Sequence, residues 1–159
     1  MDYNFNGRIL QNGTPIGGEE VVAYEGTSSL PSGVVFEDWT LHRVIKIGSI
    51  LWVVLVGKIK NTGSSAASLY NVASITIPSS IGDKIYRTDG SKVSESSTED
   101  TICRTPINTT GYSVSVASIK SNAINTINIS LDGYSLNANT SFMSNIRIPL
   151  FLDIGTVQQ

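Results

Sequence analysis

The chain has 159 residues, a formal net charge of −2 and only 15% charged residues, so it lacks the basic footprint of a nucleic-acid-binding domain. Its length fits a single domain able to bury roughly 70% of its unfolded surface without staples. No apolar run reaches the roughly 18 residues of a membrane helix.

The start, Met1-Asp2-Tyr3-Asn4-Phe5, has neither the basic nor the apolar part of a signal peptide, and a soluble protein made in a reducing compartment is expected. Asn6-Gly7, Asn12-Gly13 and Gly17-Gly18 are turn signals, with a short strand expected around Arg8–Leu10. Residues 1–20 read as an extended stalk or linker, and 21–159 as the head domain. Val21-Val22-Ala23-Tyr24 is a short strand, and Gly26–Gly33 is a loop of small and turn-forming residues around Leu30. Val34-Val35-Phe36 and Trp39–Ile47 resume extended structure. Gly48-Ser49 then makes a tight hairpin into the next run.

That run, Ile50-Leu51-Trp52-Val53-Val54-Leu55-Val56, is apolar throughout and rich in β-branched and aromatic residues. As a strand it points Leu51, Val53 and Leu55 one way and Trp52, Val54 and Val56 the other. Both faces must leave water, one in a core and the other against a second layer, a loop or another subunit. Lys58-Ile59-Lys60 carries it outward to an Asn61-Thr62-Gly63 turn. Leu69–Ile77 alternates as a strand that Pro78 stops, with Asn71, Ala73, Ile75 and Ile77 opposite Tyr70, Val72, Ser74 and Thr76. Ile81–Thr101 is the least regular stretch: Ile85-Tyr86-Arg87 forms a short strand, Asp89-Gly90 a turn and Ser91–Asp100 an exposed loop. Tyr112–Lys120, Thr126–Leu131 (ending at an Asp132-Gly133 turn) and Ile146–Leu152 complete the strands. Pro149 places the last of them at an edge or a bulge. No window has helical periodicity. Short strands with turn signals at roughly 8–12-residue spacing predict an all-β fold, an antiparallel β-sandwich of jelly-roll type.

The chain is poor in catalytic and metal-binding groups. His42 is the only histidine, no Gly-x-Ser-x-Gly elbow accompanies it, and a Cys103–His42 dyad is kept only as a remote alternative. Cys103 is the only cysteine, so no intrachain disulfide forms, and it is expected as a small buried apolar residue. One His and one Cys do not make a zinc site, and the acids Glu95, Glu99 and Asp100 read as a solvated loop rather than a calcium loop. No catalytic residue, metal or cofactor is therefore assigned. Glu37-Asp38 beside Trp39 is the one place where acids adjoin an aromatic, which keeps a hydrolase as a remote alternative.

Sugar recognition is the reading that survives. An aromatic face stacks on a pyranose while acids, amides, Arg or His fix hydroxyls. Trp39 with Asp38 and His42 is one such group; Tyr86, Arg87 and Asp89 form a second beside the irregular loop. Tyr112 and Tyr134 also adjoin turns. The more ordinary expectation for Trp39 is core packing.

The turn-rich opening Asn12-Gly13-Thr14-Pro15-Ile16-Gly17-Gly18 is followed by a Ser/Thr/Asn-rich β domain. Phrases such as Gly26–Gly33, Leu51–Ile59 and Val72–Pro78 occur within it. In this pattern the chain resembles the C-terminal receptor-binding head of phage tail-fibre and baseplate proteins, such as those of siphophages infecting Gram-positive bacteria. The resemblance implies a homotrimer whose apolar strand faces meet on a threefold axis. It also implies a virion location in the phage tail, synthesis in the bacterial cytoplasm, and contacts with other tail or baseplate proteins. The ligand would be a host cell-wall saccharide or surface receptor, bound without catalysis, nucleic acid or membrane insertion. Two alternatives remain: a structural virion component with no ligand of its own, and a cellular carbohydrate-binding module.

Overall fold

The computed structural model describes residues 2–3, 9–11, 14–15, 21–86, 100–106, 113–120 and 124–152, with side chains described for 21–86, 102 and 125–152. Three short strands come first: β1 (Asp2–Tyr3), β2 (Ile9–Gln11) and β3 (Thr14–Pro15), paired only among themselves. The main body follows as β4 (Val21–Ser28), β5 (Val34–Phe36), β6 (Leu41–Ile47), β7 (Ile50–Asn61), β8 (Ala67–Ser68) and β9 (Ala73–Thr76). A single helical turn, α1 (Ser79–Gly82), follows Pro78. The chain then makes β10 (Ile85–Tyr86), β11 (Asp100–Pro106), β12 (Ser113–Lys120), β13 (Ile124–Asp132), β14 (Ser135–Leu136) and β15 (Ser141–Leu152). The chain is thus predominantly β, as composition and turn spacing predict.

Ten of these strands form one curled antiparallel sheet. Its order is β10-β15-β7-β6-β4-β9-β13-β12-β11, with β5 continuing the ladder of β7 beyond the end of β6. The curl turns on β4. Val21–Glu25 pairs with β6, whereas Gly26–Ser28 pairs with β9, so one strand serves both halves of the sheet. At the changeover, a Cβ on Gly26 would lie 2.5 Å from the His42 carbonyl oxygen, and only glycine lets the two backbones come that close.

β7 is the organising strand. Its residues 50–60 pair with β15 along one side, while β6 and then β5 line the other. Leu51, Val53, Leu55 and Ile59 are fully buried, and they belong to one core with Val44, Ile75, Ile127, Ile129, Leu131 and Ile148 from both halves of the sheet. The expected facing of Leu51, Val53 and Leu55 is therefore as observed. The Gly48-Ser49 hairpin is also present, with Ile47 opposite Ile50 and Gly48 at φ 56°. Of the polar groups taken into the core, Ser144 Oγ donates to the Leu55 carbonyl (2.6 Å) and Asn61 Nδ2 donates to the Ser65 and Leu136 carbonyls, whereas Asn128 Nδ2 has no hydrogen-bond partner among the described residues.

Four expectations need correction. Gly26–Gly33, expected as a loop, is strand through Ser28 as the end of β4. Leu69–Ile77 is a strand only over Ala73–Thr76: Leu69 and Val72 are both buried, a spacing of three that breaks the period-two alternation. The backbone there instead makes irregular bonds to β13 and its turn, Leu69 N–H to the Tyr134 carbonyl and Val72 N–H to the Ile129 carbonyl. The extended run also starts at Leu41 rather than Trp39, because residues 37–40 form a turn. Finally, Asp100–Pro106 is a strand (β11), where the sequence reading ends a loop at Asp100 and the irregular stretch at Thr101 and assigns no element to the rest. The rest of that expected loop, Arg87 and Asp89 included, lies outside the described residues.

Gly57 holds β7 in a conformation closed to other residues, at φ 142°, with Thr40 Oγ1 2.5 Å from where a Cβ would sit. Gly57→Ala is expected to lower the unfolding free energy by about 2–3 kcal/mol. Urea denaturation checks this, and an unchanged midpoint would contradict the close approach of Thr40.

Candidate functional site

Between β5 and β6 the chain leaves the ladder of β7 for four residues, Glu37-Asp38-Trp39-Thr40. The Thr40 N–H donates to the Glu37 carbonyl (2.8 Å), closing a turn, and the Glu37 N–H donates to the Lys58 carbonyl (2.9 Å). Thr40 then substitutes for missing ladder backbone. Its hydroxyl accepts from the Lys58 N–H (2.9 Å) and donates to the Lys58 carbonyl (3.0 Å). An ion pair between Lys58 Nζ and Glu37 (3.8 Å) ties the same two segments at the surface. The excursion is therefore braced at both ends, and its tip presents Asp38 and Trp39.

Trp39 is 54% exposed, which removes it from the core. Its side chain therefore stands at the surface of a fixed turn. Asp38 beside it is also exposed. His42 does not join them. It lies on the inner face of β6, opposite Leu55, with its ring stacked on Phe36 at a centroid distance of 4.5 Å and 14° between planes. Its Nδ1 is buried and without a hydrogen-bond partner among the described residues. His42 thus packs on an aromatic neighbour, as a structural residue would, though that neighbour is Phe36 and not Trp39.

The second expected group is only partly visible. Tyr86 is half-buried in β10, opposite Phe151 of β15, while Arg87 and Asp89 lie outside the described residues. Tyr134 packs against the core with its ring centroid 4.8 Å from that of Phe142, so it offers no free platform. Tyr112 and the Cys103 side chain are outside the described residues, which leaves the Cys103–His42 pairing without geometry. Tyr70, 60% exposed between Leu69 and Val72, is a surface aromatic that the expected strand alternation of Leu69–Ile77 conceals. Its neighbours Ser68 and Asn71 are the only sequence signal of a surface turn.

A second exposed feature is larger. The outward side of β7 and its neighbours carries Leu41, Ile45, Ile47, Trp52, Val54 and Val56 around a shallow groove of about 390 Å³, with Arg147 at its margin. Leu41 and Ile47 are exposed, while Val54 at the centre is 7% exposed. No other described residue lines this groove.

Among the described residues no group of three His, Cys, Asp or Glu side chains can hold a metal ion, and no helix is long and apolar enough to cross a membrane. Glu37 is engaged with Lys58, so Asp38 is the freer of the two carboxylates.

The turn predicts a sharp contrast between neighbours. Thr40→Val leaves the Lys58 N–H without its partner, while the Lys58 carbonyl keeps the Glu37 N–H, and is expected to cost about 1–3 kcal/mol in urea or thermal unfolding. Trp39→Ala is expected to change stability by no more than about 0.5 kcal/mol. A large loss on removing Trp39 would return it to a packing role. No protein-family model matches this chain, and neither the curated proteins nor the solved structures give a match.

Proposed function

We propose that this chain is a non-catalytic adhesion head, in which the exposed Trp39 and Asp38 on their braced turn engage a cell-surface saccharide. The observation that carries the reading is the combination of an exposed tryptophan with a turn immobilised by Thr40 and Glu37. A turn whose backbone is fixed before binding loses little entropy when its ring stacks against a pyranose, and a neighbouring carboxylate can accept hydrogen bonds from two hydroxyls at once. Tyr86, Arg87 and Asp89 remain as a second contact region, and His42 supports the turn's flank through Phe36 rather than touching ligand.

The pattern resemblance to phage tail-fibre and baseplate heads supplies the biological setting. In that setting the curled sheet is a sandwich-like, jelly-roll-related head carried on the phage tail, made in the bacterial cytoplasm. Single saccharide sites of this kind are weak, and several heads engaging together raise the overall affinity by roughly 10²–10⁴. A second reading, a structural tail or baseplate component with no ligand, draws on the broad apolar face around Trp52, which suits protein contact better than sugar.

Binding of the labelled protein to whole Gram-positive cells and to purified cell-wall polysaccharide separates the two. Trp39→Ala is expected to weaken binding by at least about tenfold, and Asp38→Asn by less, with circular dichroism unchanged. Undiminished binding by Trp39→Ala would sink the Trp39 site, and absence of binding by the wild-type chain would favour the structural reading.

A further inference from the structure

The outward face of the β15-β7-β6-β4 unit is ordered in rows by the strand register. One row is Val21, Ile47, Ile50 and Phe151; the next is Ala23, Ile45, Trp52 and Pro149. The third is Glu25, Arg43, Val54 and Arg147, and Leu41, Val56 and Asn145 make the fourth. Charge is confined to the third row, and there it is asymmetric: Glu25 stands on β4 at one side, Arg147 on β15 at the other. Glu25 bonds Arg43 within the chain (3.2 Å), whereas no described carboxylate reaches Arg147, which leans on Asn145.

We propose that this face is the interface of a twofold dimer of the chain, its axis lying in the plane of the sheets and running along the strands between β6 and β7. The charge row selects that axis. Rotation about it exchanges β4 with β15 and β6 with β7 while keeping each row level. Glu25 of each copy then faces Arg147 of the other, and Trp52 of each lies over Ile45 of the other, inside the groove. The small Ala23 meets Pro149, and Val21 meets Phe151. An axis across the strands instead sets Glu25 against Glu25 and Arg147 against Arg147, or else sets the charged row against an apolar one. The chosen axis keeps partner strands aligned, the ordinary way for two sheets to pack. It also makes an isologous contact that closes at two copies.

Size and chemistry agree with this occupant. Four strands spaced about 4.8 Å, over seven residues of about 3.4 Å each, give a face of roughly 450 Å² in plan, before side-chain relief is counted. Two such faces approach the lower end of specific interfaces, about 1,200 Å² in total, the size class of weak, reversible association. The salt links sit at the two sides of an apolar centre, where charges set register and exclude wrong pairings. A threefold arrangement, as implied for a phage head, does not bring Glu25 opposite Arg147 by this exchange. The dimer is independent of what Trp39 binds, since Trp39 is not part of the four rows.

Sedimentation equilibrium on the full chain across micromolar to millimolar concentrations should show a reversible approach to twice 17.0 kDa. Glu25→Arg and Arg147→Glu each put two like-charged pairs into the dimer and are each expected to weaken it by at least about tenfold. An equimolar mixture of the two variants makes both pairs attractive again, and its dissociation constant should return to within about threefold of the wild-type value. Both positions are exposed, so circular dichroism should stay unchanged. A monomer at every concentration, a mass of three chains, variants that associate as well as wild type, or a mixture that fails to recover would each overturn the proposal.

Discussion

The structure depends on one strand whose two faces must both leave water. β7 holds its inner side chains, Leu51, Val53, Leu55 and Ile59, in the core that joins both halves of the curled sheet. Its outer side chains, Trp52, Val54 and Val56, form the centre of an apolar face. Hydrogen bonds to β15 on one side and to β6 and β5 on the other leave the strand no freedom to rotate either set away. Burial of each large apolar side chain contributes about 1.5–3 kcal/mol; of the outer set Val54 is already buried, while the half-buried Trp52 and Val56 reach that only when something closes over them. The inner face thus accounts for folding and the outer face for association.

The same strand positions the candidate binding turn. Lys58 is where the partner ladder changes from β6 to β5, and the gap between them is filled by Thr40, whose single hydroxyl satisfies both backbone groups of Lys58. Gly57 makes room for Thr40, so an unusual backbone angle in β7 is what allows the excursion at residues 37–40. Trp39 is consequently exposed by construction, not by looseness. The proposed recognition and association then occupy separate parts of the same scaffold, one on a braced turn and one on a sheet face.

Much of this was legible in the residues because period-two alternation is a strong signal where one face is buried. The facing of Ile50–Val56, the Gly48-Ser49 hairpin and the Asp132-Gly133 turn, with Gly133 at φ 72°, all follow from local chemistry. What was not legible depended on partners distant in sequence. Trp39 sits one residue from a strand and reads as part of it until Thr40 is seen to bond Lys58, 18 positions away. Tyr70 looks like one member of an alternating strand, yet Leu69 and Val72 are pinned by Tyr134 and Ile129 and turn it outward. The double role of β4 was hidden for the same reason, since no property of Gly26 alone announces a change of partner strand. The grouping of His42 with Trp39 followed sequence proximity, whereas strand alternation sends His42 inward onto Phe36.

The chain has two tryptophans, and replacing Trp39 by Phe leaves Trp52 as the sole indole reporter of the outer face of β7. The most direct measurement is iodide quenching of Trp52 fluorescence in that variant as the protein is diluted. If a second copy closes over β7, Trp52 is shielded at high concentration and becomes accessible on dilution, in step with dissociation. Quenching that is independent of concentration, whether strong or weak, would contradict the account, because the outer face would then be either permanently open or already covered within a single chain.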